Sequence, residues 1–293
     1  MEDRFIRCLS GSGGVRIVGC TAAVAAREIC TLQNASMTVG IAIGRAVAAG
    51  ALMGALLKGE ERIALKFEGN GPVGKIIVEA DGDGAVRASA GNPEAEMEPA
   101  DGRWDVPGLL GRAGFLTVSR DPGTGAEPYR GMVQLCSSEI GDDLAGYLAE
   151  SEQTPSAVGV GARLDSSGRI SGCGGFLVQR LPGCSGQEME AVAENTKSLP
   201  PLVELLREGG PEMLVERLFD GHAFNILEKR EILFRCGCNR EKSREALHIL
   251  GEDELKDILL KNGAVEVKCE FCRKTYAFAS DEISGASGKM SYS

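Results

Sequence analysis

The sequence is short of basic residues: 32 Lys and Arg stand against 42 Asp and Glu, a formal net charge of −10. A chain this acidic has no general attraction for phosphate backbones, so nucleic-acid binding is disfavoured from the outset. Histidine is nearly absent. The two that occur, His222 and His248, lie in apolar-patterned stretches and read as surface or structural residues rather than catalytic bases. There is no GxxxxGK[ST], no HExxH and no GxSxG, so nothing marks a phosphate loop, a zinc protease or a serine-hydrolase elbow. The opening Met1-Glu2-Asp3-Arg4-Phe5-Ile6-Arg7 is of mixed charge and has no apolar core. It predicts no secretory leader, hence a cytoplasmic chain whose thiols stay reduced unless something oxidises them. The 40 glycines follow no Gly-x-y period, which excludes collagen. The chain is 43% apolar and 25% charged, which excludes disorder.

What is present has the size of about two domains at 293 residues. Between Val39 and Leu57 the only charge is Arg45, and Gly40/Gly44 and Gly50/Gly54 each form a GxxxG. The stretch has the length of a membrane span. Its Ala and Gly residues gain little in lipid, Arg45 sits near its middle, and it has no aromatic belt. It therefore predicts a buried helix, ended by Lys58-Gly59-Glu60-Glu61, whose small residues let neighbours approach closely.

Around it, strand signals dominate. Strands are expected at Val15–Gly19, Ile63–Phe67, Lys75–Ala80, Ala85–Ala90, Phe115–Ser119, Tyr129–Leu135, Val158–Leu164 and Arg169–Gln179. Asp81-Gly82-Asp83-Gly84 and Asp165-Ser166-Ser167-Gly168 are hairpin turns. Thr21 is expected to cap an Ala-rich helix running to Cys30, and Ile140–Glu152 to form another, its dipole complemented by Asp142 and Asp143. Residues 91–102 read as a loop. Strands interspersed with a few helices, without βαβ spacing, predict an α+β domain over 1–183.

Composition changes at Pro182-Gly183-Cys184-Ser185-Gly186. From Gln187 to Arg230 the pattern is helical, short and interrupted: Pro200-Pro201 opens one helix, Gly209-Gly210 stops it, Pro211 opens the next and Asp220-Gly221 stops that. Helices this short need a surface to dock on. Residues 184–230 are therefore expected to be a conditionally folded helical linker, with an ordinary helical subdomain as the alternative.

The chemistry lies in the last segment, 231–293. Cys236-Gly237-Cys238 and Cys269-Glu270-Phe271-Cys272 make a CxC followed by a CxxC. Four thiolates in two close pairs can close a tetrahedral zinc site of the structural kind, one ion per chain, with no open position for substrate. Gly237 is expected to let the CxC backbone turn without a Cβ clash. So small a module needs a staple, which metal binding can supply. Such a site fits a nucleic-acid-binding zinc ribbon, a purely structural staple, or a redox switch in which oxidation destroys the ligands. Residues 231–293 carry 10 Lys/Arg and 11 Asp/Glu and so lack the basic excess of a ribbon. A CxxC oxidoreductase would need its motif to open a helix, whereas Tyr276-Ala277-Phe278 reads as a strand.

Phe234-Arg235-Cys236-Gly237-Cys238-Asn239-Arg240-Glu241, Cys269-Glu270-Phe271-Cys272, Tyr276 and Phe278 closely resemble the redox-regulated 33-kDa chaperonin family (heat-shock protein 33). Gly69-Asn70-Gly71-Pro72, Tyr129-Arg130-Gly131-Met132-Val133, Ser151-Glu152-Gln153-Thr154-Pro155 and Gly174-Gly175-Phe176-Leu177-Val178-Gln179 extend the resemblance over essentially the whole chain. It implies an ATP-independent holdase chaperone, not an enzyme. It further implies zinc on Cys236, Cys238, Cys269 and Cys272 when reduced, and Cys236–Cys238 and Cys269–Cys272 disulfides when oxidised. Zinc is then released, the linker unfolds, and unfolding client proteins bind a form that is generally a homodimer. No membrane or nucleic-acid partner is implied. Asn239 departs from the family's usual Ser. Cys8, Cys20, Cys30, Cys136, Cys173 and Cys184 lie outside its switch and read as small buried hydrophobes, with Cys184 the one placed to be exposed. Gly69–Gly74 formally matches GxGxxG, but it leads into a strand, so no nucleotide site is expected.

Overall fold

The structure, a computed structural model, describes residues 2–99, 102–123, 125–247, 252–280 and 282. His248, Ile249 and Leu250 lie outside the described residues. The chain divides into two compact units, Met1–Arg235 and Cys236–Ser293.

In the first unit, β1 (Arg4–Ser10) and β2 (Val15–Thr21) lead into α1 (Ala23–Gln33) and α2 (Met37–Gly54). Then come β3 (Arg62–Gly69), β4 (Lys75–Asp81), β5 (Ala85–Ala90), α3 (Val106–Leu110), β6 (Gly114–Asp121), β7 (Tyr129–Gln134), α4 (Ile140–Glu150), β8 (Ser156–Leu164) and β9 (Ile170–Arg180). After these follow α5 (Gly186–Lys197), α6 (Leu202–Leu218), β10 (Phe224–Glu231) and β11 (Leu233–Phe234). A five-stranded antiparallel sheet runs β10-β1-β2-β9-β8, and a six-stranded one runs β11-β5-β4-β3-β6-β7, with β11 and β5 its only parallel pair. The fold is α+β, as the pattern of strands predicts.

The five-stranded sheet is covered on both faces. Phe5, Val18, Cys20 and Leu177 point to one core, shared with α1 and α2. Ile6, Cys8, Val15, Ile17, Phe176 and Val178 point to the other, shared with Val192 of α5 and Leu205, Leu206, Leu214, Val215 and Leu218 of α6. Double coverage is why β9 is buried at nearly every position instead of alternating. The helix α2 packs on β8 and β9 of one sheet and on β4 and β5 of the other. It alone is long and apolar enough for a membrane, among the described residues, and it is 89% buried inside the fold. Its glycines serve close approach: a Cβ on Gly44 would meet Ala162 Cβ at 2.8 Å, and one on Gly50 would meet Val78 Cγ2 at 2.6 Å. Arg45 is answered by Glu139 at the start of α4, Nη1 to Oε2 2.5 Å. The helix ends at Gly54, before the Lys58–Glu61 stop signal.

Three local expectations are corrected and one, the acidic first turn of α4, is extended. Thr21 belongs to β2 and does not cap α1; the Asp3 carboxylate does, accepting from Ala25 N–H at 2.8 Å. A residue distant in sequence thus satisfies a donor that α1's own N-cap residue, Ala22, cannot. Asp143 does more than face the α4 dipole: it is buried and accepts from the backbone N–H of Cys136 and Ser137. Cys184 is buried, whereas Cys136 is exposed. Finally, the helical pattern stops early, because residues 224–231 form β10 rather than helix. The edge of β1 pairs with Phe224–Glu231, with a bulge that leaves out Leu227, and this pairing overrides a locally polar sequence. Upstream the segment follows its punctuation: Gly210 (φ 69, ψ −166) breaks α6 just before Pro211. The hydrophobic stripes are docked on the first unit's own sheet, with Met189, Leu199 and Leu202 only partly buried.

The second unit contains α7 (Arg240–Ala246), α8 (Glu252–Asn262) and the hairpin of β12 (Val265–Lys268) and β13 (Thr275–Phe278). Among the described residues its core is Leu247, Leu255, Val265, Tyr276 and Phe278.

Candidate metal centre

The CxC pair sits on the segment entering α7. Asn239 caps that helix, accepting from Lys242 N–H at 2.8 Å, while Ser243 Oγ donates to the Asn239 carbonyl at 2.8 Å. Asn caps as well as Ser, so this departure from the family pattern leaves the local structure intact. The CxxC pair forms the turn between β12 and β13. Cys269 N–H donates to Lys274 O at 2.9 Å, Arg273 N–H donates to Cys269 O at 3.0 Å, and Arg273 takes a left-handed φ of 59°. A strand, β13, follows the CxxC and no helix opens on it, unlike a dithiol oxidoreductase site. Gly237 has no positive φ and nothing within 4 Å of a built Cβ. The expectation that only glycine fits the CxC turn is therefore corrected. The strained backbone lies instead at Arg273.

These two turns bring the four sulfurs within 4.8 Å of one another. Cys236 Sγ lies 3.6 Å from Cys269 Sγ, and Cys238 Sγ lies 3.3 Å from Cys272 Sγ. Zinc–sulfur bonds of about 2.3 Å in a tetrahedron put sulfurs about 3.8 Å apart. The observed spacing fits that geometry, and four close cysteines are a donor set able to hold a metal ion. Burial raises Cys238, but hydrogen bonds from Tyr276 and the other three thiols outweigh it and bring it down to about 7. Burial and the neighbouring thiols push Cys272 up to about 12, and burial raises Cys269. One sulfur ionises readily and its charge keeps protons on its neighbours; a divalent cation lets all four ionise. The Tyr276 hydroxyl lies 3.4 Å from Cys238 Sγ and donates to Cys238 O at 3.3 Å. In the sequence Tyr276 stood as a strand residue and as part of the family resemblance, with no role toward a cysteine.

Four of the cysteines outside the cluster are held protonated by burial. Burial pushes Cys8 up to about 11 and Cys20 and Cys30 up to about 12, and holds Cys173 well above the usual thiol range. The GxGxxG-like run Gly69–Gly74 turns from β3 to β4 and presents no helix N-terminus. A Cβ on Gly71 would meet Leu109 O at 2.4 Å, so that glycine serves close backbone packing. His222 is partly buried in the turn before β10.

The family model of the Hsp33 protein matches residues 3–279. The chain belongs to the Hsp33 family. It is 62% identical over 283 residues to the 33 kDa chaperonin of Pelobacter propionicus, covering 97% of this chain and 93% of that relative. The 33 kDa chaperonin of Geobacter sulfurreducens is 47% identical, with 97% and 94% covered. The fold matches the crystal structure of the 33 kDa chaperonin (heat shock protein 33 homolog) of Thermotoga maritima with a TM-score of 0.89 and 33% identity, over 97% of each chain. These relatives are named as 33 kDa chaperonins, and this chain is a member of a chaperone family.

Proposed function

We propose that the protein is a redox-regulated, ATP-independent holdase that binds unfolding client proteins and keeps them from aggregating. The observation that carries this reading is the convergence of Cys236, Cys238, Cys269 and Cys272 on one point, within 4.8 Å, in a chaperone-family chain. In the reduced state the four thiolates hold one zinc ion per chain. Bound there, the ion would supply a structural cross-link to a module whose core, among the described residues, is small. Four protein ligands would complete a tetrahedral zinc site and leave no place for a substrate, which suits a switch and not a catalyst.

Oxidation acts on the same sulfurs. With peroxide as oxidant, a thiolate attacks one peroxide oxygen; the S–O bond forms, the O–O bond breaks and hydroxide leaves. A second thiol displaces the sulfenic oxygen as water and closes the S–S bond. Each disulfide takes two electrons from sulfur and reduces one peroxide to two waters. Pairing runs between neighbours, Cys236 with Cys238 and Cys269 with Cys272. Either disulfide removes two ligands, and the module loses what folds it.

The output is the segment 184–230, lying between the core domain 1–183 and the redox module 231–293. Its helices are short and kinked, and helices below about 12–15 residues are marginal in water unless docked. Undocking would expose Leu205, Leu206, Leu214 and Leu218 together with Ile17 and Phe176 beneath them, an apolar surface of the kind that unfolding chains bind. The active form is a homodimer, working in the cytoplasm without nucleic acid or membrane. Hydrogen exchange tests the scheme. Slow exchange over 187–230 in reduced protein should become rapid after peroxide, while 1–183 stays protected. Unchanged protection there in an oxidised, client-binding sample would place the client site elsewhere.

A further inference from the structure

Tyr276 is buried to 8% exposure, and its hydroxyl faces Cys238. The oxygen lies 3.4 Å from Cys238 Sγ and 3.3 Å from Cys238 O. Lys274 Nζ stands 5.2 Å from the ring centroid on the ring's face, and the ring belongs to the module's small core. The orientation is therefore fixed by packing from several sides, as a hydroxyl needs to be if it is to serve one sulfur.

A phenol has one proton to donate and two lone pairs. While Cys238 is a thiol, its S–H can donate to the Tyr276 oxygen and the phenol proton can go to the Cys238 carbonyl. A thiolate has no proton and only accepts. The single phenol proton is then drawn to the charged sulfur, the stronger acceptor. The pair is arranged to serve both states without moving a heavy atom.

We infer that Tyr276 is an outer-sphere positioning residue that holds Cys238 as a metal ligand and restrains its reaction with oxidant. The inference rests on the metal reading of the cysteine cluster. A hydrogen bond to a thiolate withdraws density from the sulfur lone pair that would attack peroxide, forming the S–O bond and expelling hydroxide. The same bond fixes the sulfur's direction toward the ion, the usual service of a group behind a metal ligand. Cys238 is thus the sulfur on which this hydroxyl's restraint is observed.

The test compares wild type with Tyr276→Phe, which keeps the ring and removes only the hydroxyl. Both full-length chains are loaded with cobalt(II) under reducing conditions. In the variant, the thiolate-to-cobalt charge-transfer band should move to longer wavelength, because one sulfur has become a better donor. Zinc competition should show affinity reduced about 10-fold or more, the ordinary cost of removing an outer-sphere partner. Peroxide followed by alkylation and peptide mapping should show faster modification at Cys238. An unchanged band, affinity and Cys238 rate would overturn the inference while leaving the metal reading intact; failure of wild type to take up cobalt or zinc would overturn both. A measurement on wild type alone guards against a variant that does not fold. In the cadmium-loaded chain the Tyr276 hydroxyl proton should exchange slowly with water and couple to the metal through Cys238 sulfur. A fast-exchanging, uncoupled proton would overturn the inference.

Discussion

Arg4 on β1 grips Glu212 on α6 with both arms of its guanidinium: Nε donates to Oε1 at 3.1 Å and Nη2 to Oε2 at 2.8 Å. Lys229 of β10 reaches the same carboxylate at 3.3 Å. The contact lies on the part of α6 beyond its break at Gly210, so it fixes the stretch that the upstream helix cannot hold by itself. Near the other end of the helical segment, Ser12 Oγ donates to both oxygens of Glu188 at 2.7 Å.

These clips give the docked helices an acid dependence. Burial raises Glu212, but the Arg4 hydrogen bonds outweigh it and hold the carboxyl below its ordinary value of 4.5. The Ser12 hydroxyl lowers Glu188. A carboxyl depressed in the folded state stabilises above its unfolded pKa and loses that stability as pH falls through its folded one. The melting temperature of reduced protein should therefore fall as pH drops below about 4.5. Glu212→Gln should flatten that dependence and cost about 0.2–1 kcal/mol at neutral pH, the range for a partly exposed pair. A variant with wild-type stability and wild-type acid sensitivity would show that the clip contributes nothing.

Asp3 behaves in the opposite sense. Burial, opposed by the backbone N–H groups of α1, raises its pKa in the folded state. Its ionised form is thus less favoured on folding, and its contribution grows as pH falls. Asp3→Asn, which keeps the acceptor without the charge, should be tolerated. Asp3→Ala should cost about 1–2 kcal/mol by leaving Ala25 N–H unpaired. Chemical denaturation of the two variants separates cap from charge; equal losses would contradict the assignment.

Two glycines should respond in opposite ways. Gly50→Ala places a methyl against Val78 Cγ2, where a Cβ would stand at 2.6 Å, and should destabilise by about 1–3 kcal/mol. Gly237→Ala meets nothing within 4 Å and should keep full metal content. Metal analysis and thermal melts check both, and loss of metal in Gly237→Ala would restore a steric role to that glycine.

Much of the fold was legible because its signals are local. The hairpins announce themselves at Asp81–Gly84 and Asp165–Gly168, the core helix by its apolar run, and the metal centre by CxC and CxxC. What could not be read depends on distant partners. The edge strand β10, Phe224–Glu231, is polar and becomes a strand only because β1 lies beside it, more than 200 residues earlier in the chain. The strand β1 and the Asp3 cap were hidden for the same reason. Buried Cys184 and exposed Cys136 depend on packing that no spacing encodes. At the site, the four cysteines that cluster were visible in the sequence, whereas the hydroxyl of Tyr276 on Cys238 required the β12–β13 hairpin to be built.

Each of the four cysteines should be required for the metal. Single Cys→Ser changes at 236, 238, 269 or 272 should lower zinc content well below one per chain and expose the second unit to protease. The quadruple variant should bind none. Full zinc occupancy in the quadruple variant would rule out the site.

The central claim is that losing the metal turns the chaperone on. The direct measurement is an aggregation assay on a thermally unfolding client, with reduced or peroxide-treated protein and zinc release followed in the same samples. The account predicts that reduced, zinc-loaded protein fails to suppress aggregation, and that peroxide-treated protein suppresses it as one zinc per chain is released, without ATP. Equal suppression by the reduced, zinc-loaded protein, or suppression by oxidised protein that still holds its zinc, would contradict it.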